Sequence, residues 1–348
     1  MDFTKFGDNN LLYTSFNQTN DCVIFGTKTG FYVYTIEPFK KIIARKIPGG
    51  VKIATMLYKS NIVIFVGNVD KGLYPKKKLI IWDDHKRSVI GEILFKNEIV
   101  NIKVTKQIII VVTEKKIYIY NFENLNLIKS IETSSNKKGL CSITYGDECF
   151  IAYPGDRQGE INVTKYKDDY LKIVKAHQSD IELFNLDKSG KFLVSCSERG
   201  TLVRIFNIEE GEMMKELRRG SDQVKIVDLK FSDNMNNLLV SSVKGTIHVF
   251  STSLEEEINN NVGVGYGVSY VKSFLPSYFS SEWSFIQFYL SNITTYSLFK
   301  NNNEIVSIGN NGCFYSLTFE DGEAKINKSY KFVSDEDDPF NDRTSTIK

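Results

Sequence analysis

The chain has 348 residues, with 44 basic and 42 acidic side chains and a formal net charge of +2. Near-balanced charge excludes a general nucleic-acid footprint, so any anion site has to be local. The length provides for a sizeable core, and the five scattered cysteines (Cys22, Cys141, Cys149, Cys196 and Cys313), with no Cys-x-x-Cys, read as free thiols of a reducing compartment.

The N-terminal stretch MDFTKFGDNN lacks the basic start and apolar run of a signal peptide. The longest aliphatic run, 108–112, is far too short to span a bilayer, so the expectation is a soluble protein that meets membranes only peripherally. A glycine or lysine turn followed by an alternating strand then recurs along the chain. It occurs as TGFYVY ending at Tyr34, KLIIW at Trp82, KIYIY at Tyr120, GEINV at Val163, GTLVRIF at Phe206, GTIHVF at Phe250 and GCFYSL at Leu317. Most intervals are roughly 38–48 residues, the length of one four-stranded propeller blade. Helical periodicity is poor, and Val, Ile, Tyr, Phe and Thr dominate between Gly, Asn, Asp and Ser turns. Spacing and composition therefore predict an all-β propeller of about seven units. Asp83 and Asp84 after Trp82 read as a turn cap on the second unit.

One interval breaks the period. Between Phe250 and Leu317 there is an excess of roughly 20–25 residues over the usual repeat. It falls at about 251–279 and reads as a long loop in the sixth unit. The segment is acidic first, then pliable at Gly263, Gly265 and Gly267, then aromatic, with Tyr266, Tyr270, Phe274 and Leu275 giving it an apolar arm. The folded domain is expected over 1–333, and the acidic stretch 334–348, with little to bury, is expected to be a disordered tail.

The segment 195–250 holds the chemistry. A Gly-Thr turn occurs twice, at Gly200-Thr201 and Gly245-Thr246, and Leu217-Arg218-Arg219-Gly220 lies between. Neighbouring side chains on a strand point to opposite faces, so two adjacent arginines there serve two different pockets. Guanidinium forks suit phosphate oxygens, and hydroxyls and glycine-turn N–H groups add donors. The reading is two anion pockets flanking one sheet. Enzyme readings fail: there is no Gly-x-Ser-x-Gly elbow, no Walker loop and no His-Glu-x-x-His, and Cys196 alternates inward as a structural thiol. No cofactor and no metal site are expected.

With its Leu217-Arg218-Arg219-Gly220, the chain resembles the PROPPIN family, seven-bladed β-propellers of WD-repeat type that bind phosphoinositides and include the WIPI proteins of autophagy. Family-like segments run through SFNQTNDCVIFGTKTGFYVY (15–34), KKLIIWDD (77–84), KKGLCSI (137–143), IAYPG (151–155) and LPSYFSSEWSF (275–285), so the resemblance extends to about Phe332. It implies a first phosphoinositide site of His177, Ser179, Ser197, Thr201, Arg204 and Arg218. A second would gather Arg219, Ser241, Ser242, Thr246 and His248, with Lys244 nearby. Some relatives carry a histidine where this chain has the anionic Asp222. The bland alternatives are structural propeller histidines and ordinary serine and threonine turns. The resemblance also implies that the 251–279 loop dips into the bilayer. The lipids implied are phosphatidylinositol 3-phosphate and phosphatidylinositol 3,5-bisphosphate. The protein would be a cytoplasmic monomer, recruited to autophagosomal, endosomal or vacuolar-type membranes, with an autophagy lipid-transfer or scaffold protein on the second and third blades. The rival reading is a WD-repeat protein-interaction scaffold that binds no lipid. Headgroup capture would set the two apart through its salt dependence.

Overall fold

The computed structural model describes residues 11–146, 148–252, 282–320 and 322–331. The described residues form seven sheets with no helix, six of four strands and the fifth extended by a short fifth strand, and the fold is an all-β, seven-bladed β-propeller. The expected tail at 334–348, and Tyr266, Tyr270, Phe274 and Leu275 of the expected membrane loop, lie outside the described residues.

Each recurring sequence unit is the third strand of its sheet. The seven are Gly30–Thr35, Lys78–Asp83, Lys116–Asn121, Glu160–Lys165, Leu202–Asn207, Thr246–Ser251 and Cys313–Glu320. The second strands are the most buried, Cys22–Thr27, Ile108–Thr113 and Phe192–Ser197 from end to end. A strand covered on both faces reads as a continuous small and apolar run rather than an alternation. The fourth strands carry the exposed apolar residues, among them Ile90, Leu94, Leu127 and Leu171. Asp83 does cap its turn: its carboxylate accepts from the His85 and Lys86 N–H groups at 3.0 and 3.1 Å.

The chain divides into two compact units. The first is Met1–Cys141 with Asn310–Phe314 and Tyr330–Lys348, and it contains the first three sheets. The second is Ser142–Gly309 with Tyr315–Ser329. It contains the fourth, fifth and sixth sheets and every described residue of the two expected sites.

Within the second unit the fifth and sixth sheets share a core. Val194, Cys196, Val203, Ile205 and Leu217 pack with Val224, Ile226, Leu229, Leu238, Val240 and Phe250. Each such side chain contributes about 1.5–3 kcal/mol by leaving water. This packing also fixes the phase of the strands: residues in register with or two removed from these point to the shared core, and their neighbours point away.

The sixth sheet contains the insertion. Its first three strands are Ile226–Phe231, Asn237–Ser242 and Thr246–Ser251, and its fourth is Ile286–Tyr289, reached only after the span 253–281. Just before that strand, Glu282–Trp283 pairs in parallel with the edge of the fifth sheet, Leu217 opposite Glu282 and Arg218 opposite Trp283. LPSYFSSEW therefore ends as the re-entry to the blades at its last two residues.

Candidate anion-binding site

The fourth strand of the fifth sheet, Met213–Arg218, ends on the first arginine. Leu217 points into the core shared with the sixth sheet, so Glu216 and Arg218 point to the other face. Arg204 stands opposite Glu216 in register and joins them on that face. Its guanidinium donates from Nη1 to the Ala176 carbonyl at 2.8 Å, which fixes this face as the one toward the fourth sheet. The remaining edge is held by Glu216, with Nε and Nη2 both 2.9 Å from Oε2.

His177, half-buried, meets the same face. Its Nε2 lies 3.0 Å from Ser195 Oγ, and Ser195 is opposite Arg204 in register. Burial first, and the Arg204 charge second, push the imidazole down to about 4. Ser195 and Ser197 alternate with Cys196, which is in the shared core, so both hydroxyls are on the His177 side. The structure thus brings His177, Ser197, Arg204 and Arg218 together on one face. Ser179 and Thr201 are half-buried at the adjoining turns, and the Thr201 carbonyl accepts the Arg219 N–H at 2.9 Å.

Arg219 lies just past the strand. Its Nε donates to the Gly200 carbonyl at 2.9 Å and its Nη2 to the Asp222 carbonyl. Burial pushes its pKa down while the Asp222 charge opposes that. Its charge reaches His248, whose imidazole is also pushed down to about 4, by burial first and by Arg219 second. His248 is opposite Val240 in register, so it points with Val240 toward the fifth sheet, and Thr246 and Ser242 fall on the same face by alternation. Ser241 does not join them. It is fully buried on the other face, with its hydroxyl 3.4 Å from Ser297 Oγ. Lys244 is exposed at the turn.

The two turns that frame these groups need glycine. Gly200 and Gly245 have φ of 61° and 82°, in the left-handed region that other residues rarely adopt. Three nearby groups carry no motif of their own: Ser195, Glu216 and Ser284. Ser284 Oγ lies 3.0 Å from His248 Nδ1, although it stands 36 residues further along the chain, beyond the insertion. No sequence pattern around the arginines reaches it.

The arrangement offers two arginines, Arg218 on the face of the half-buried His177 and Arg219 toward the buried His248, with serine hydroxyls on each side. Among the described residues there is no group of three or more His, Cys, Asp or Glu side chains able to hold a metal ion. Guanidinium, imidazole N–H and hydroxyl groups arranged in this way are able to take anions by charge-assisted hydrogen bonds.

The PROPPIN family profile matches residues 10–270. The chain is 34% identical to autophagy-related protein 18e of Arabidopsis thaliana over 333 residues, 93% of this chain and 88% of that protein. It is 27% identical to autophagy-related protein 18 of Dictyostelium discoideum over 370 residues, 99% of this chain and 98% of that protein. A solved structure of Kluyveromyces lactis Hsv2 with its complete loop 6CD matches with a TM-score of 0.77 at 26% identity, covering 93% of this chain and all of that one. On this evidence of profile, sequence and fold, the chain belongs to the PROPPIN family of non-catalytic, phosphoinositide-binding scaffolds.

Proposed function

We propose that the protein binds phosphatidylinositol 3-phosphate and phosphatidylinositol 3,5-bisphosphate at two sites flanking the fifth sheet. The first is His177, Ser179, Ser197, Thr201, Arg204 and Arg218, and the second is Arg219, Ser242, Thr246 and His248. The observation that carries this reading is that the adjacent arginines divide between two faces, Arg218 on the face of Arg204 and His177, and Arg219 toward His248. Burial first, and Arg204 on the face of Arg218 second, lower the His177 pKa, and burial first and Arg219 second lower that of His248. Each pocket would hold one phosphate through a few charge-assisted hydrogen bonds, each contributing about 1.5–3 kcal/mol. One such pocket binds weakly, and two on one membrane-facing rim gain by effective concentration.

The arm with Tyr266, Tyr270, Phe274 and Leu275 would add apolar burial in the bilayer. Trp283, Phe285 and Tyr289, 49%, 47% and 61% exposed beside its exit, support a membrane-facing surface there. Docked in this way, the protein is a cytoplasmic, peripheral scaffold of autophagy or endolysosomal traffic. It acts as a monomer that recruits a lipid-transfer or scaffold partner through the second and third sheets. The relatives named for autophagy support that setting.

Vesicle flotation across a phosphoinositide panel tests the reading. Wild type should float selectively with 3-phosphorylated lipids and R218A/R219A should not, with the fold of the variant unchanged by circular dichroism. A folded wild type that floats with none of them would replace lipid capture by a protein-interaction scaffold.

A further inference from the structure

His248 and the hydroxyl facing it carry a further inference, which rests on the phosphate-binding reading of Arg219 and His248. The His248 side chain is buried, and its Nδ1 is 3.0 Å from Ser284 Oγ. The same oxygen accepts a hydrogen bond from Gln287 Nε2 at 3.0 Å. An amide N–H can only donate, so it occupies one of the two lone pairs of the serine oxygen, and the hydroxyl proton is available to Nδ1. A neutral imidazole carries a single N–H, and an Nδ1 that accepts leaves that proton on Nε2. The ring is neutral near pH 7, since burial and the Arg219 charge both disfavour its protonated form.

We propose that Ser284 and Gln287 are positioning residues that hold His248 as the Nε2–H tautomer, so that the ring donates to a phosphate oxygen bound at Arg219. The opposite tautomer would present a lone pair to the phosphate and repel it. The relay Gln287 to Ser284 to His248 thus decides whether a neutral histidine helps or opposes anion binding. Gln287 is also opposite His248 in register, so both relay residues come from the stretch that closes the sixth sheet after the insertion. Strand pairing places Gln287 opposite His248, and Ser284 lies just ahead of that strand.

The chain has only three histidines, which makes a direct test practical. Imidazole nitrogen-15 shifts of the full chain at neutral pH, assigned with H85N, H177N and H248N, report the tautomer of each ring. Titration with inositol 1,3-bisphosphate reports headgroup affinity. The wild type is expected to show Nε2–H at His248. S284A should show mixed tautomers and bind the headgroup about 3- to 10-fold more weakly, the effect of one hydrogen bond. S284T, which keeps the hydroxyl, should restore both, and thermal melts exclude unfolding as the cause. An Nδ1–H ring in the wild type, or an S284A variant unchanged in tautomer and affinity, overturns the proposal. A wild type with the Nε2–H ring that binds no headgroup supports the relay and overturns the phosphate reading of the site.

Discussion

Arg204 and Glu216 face each other across the third and fourth strands of the fifth sheet, with two guanidinium nitrogens 2.9 Å from one carboxylate oxygen. The third guanidinium nitrogen is committed to the Ala176 carbonyl. An arginine held on all sides orders the face it lies on, and its charge is largely offset by its partner. Arg218, on the same face and opposite Leu202, is then the main cation of the first site. R204A is expected to lower stability by about 1–3 kcal/mol, because it leaves a mostly buried carboxylate without its guanidinium. Its headgroup affinity should fall less than that of R218A, since Glu216 and the Ala176 carbonyl already engage the Arg204 nitrogens. R218A should do the reverse, with roughly tenfold weaker binding from the loss of a charge-assisted hydrogen bond. Thermal melts beside headgroup titrations check the split. Equal affinity losses at unchanged stability would make Arg204 a direct phosphate ligand.

All four strands of the sixth sheet lie outside the insertion at 253–281. Ile286–Tyr289 pairs with Thr246–Ser251, with Thr246 opposite Tyr289 and His248 opposite Gln287. Replacing 253–281 with a short Gly-Ser linker should therefore keep affinity for soluble inositol 1,3-bisphosphate within about twofold. Retention on vesicles should fall by roughly tenfold or more if the proposed apolar arm of Tyr266, Tyr270, Phe274 and Leu275 contributes bilayer burial. A linker variant that stays on vesicles like the wild type would remove the apolar arm from the binding account.

Much of this was legible in the sequence, for identifiable reasons. The third strands were visible because a turn residue and a strict alternation recur together, as in GTLVRIF and GTIHVF. The separation of Arg218 from Arg219 followed from the same alternation. The same rule separates Ser241 from Ser242, so the two cannot both line the second site. Val240, fixed in the shared core, sends Ser242 toward Arg219 and Ser241 toward Ser297. Glu216 and Ser195 required the register of three strands, which no single strand discloses. Ser284 required knowing where the chain returns after the insertion.

Both site histidines make stability depend on pH. His177 and His248 have folded values near 4, below the 6.5 of an exposed imidazole. As pH falls below 6.5 the unfolded chain takes up these protons and the folded chain does not until near pH 4, so stability is lost across that window. Each ring should account for about 1–3 kcal/mol of the loss. Denaturant midpoints measured from pH 7 to 4.5 should fall progressively, and H177Q/H248Q should flatten the curve. An equally steep fall in that variant would place the titration on other groups.

The tightest constraint on the second site is a backbone one. Gly200 has φ of 61°, and a Cβ added there would sit 1.8 Å from the Val224 carbonyl oxygen. That oxygen belongs to the backbone, so the clash cannot be relieved by a side-chain rotation. The Gly200 carbonyl also accepts the Arg219 Nε–H at 2.9 Å, so any shift of the turn moves the guanidinium. G200A is expected to lower stability by about 2 kcal/mol or more, from the left-handed φ and the displaced backbone together. It should also weaken headgroup binding at the second site while leaving the first, which R219A can isolate. Titration of G200A and R219A separately and combined checks this: the combined variant should bind no more weakly than R219A alone. A further loss in the combination would mean that the turn at Gly200 supports the Arg218 site as well.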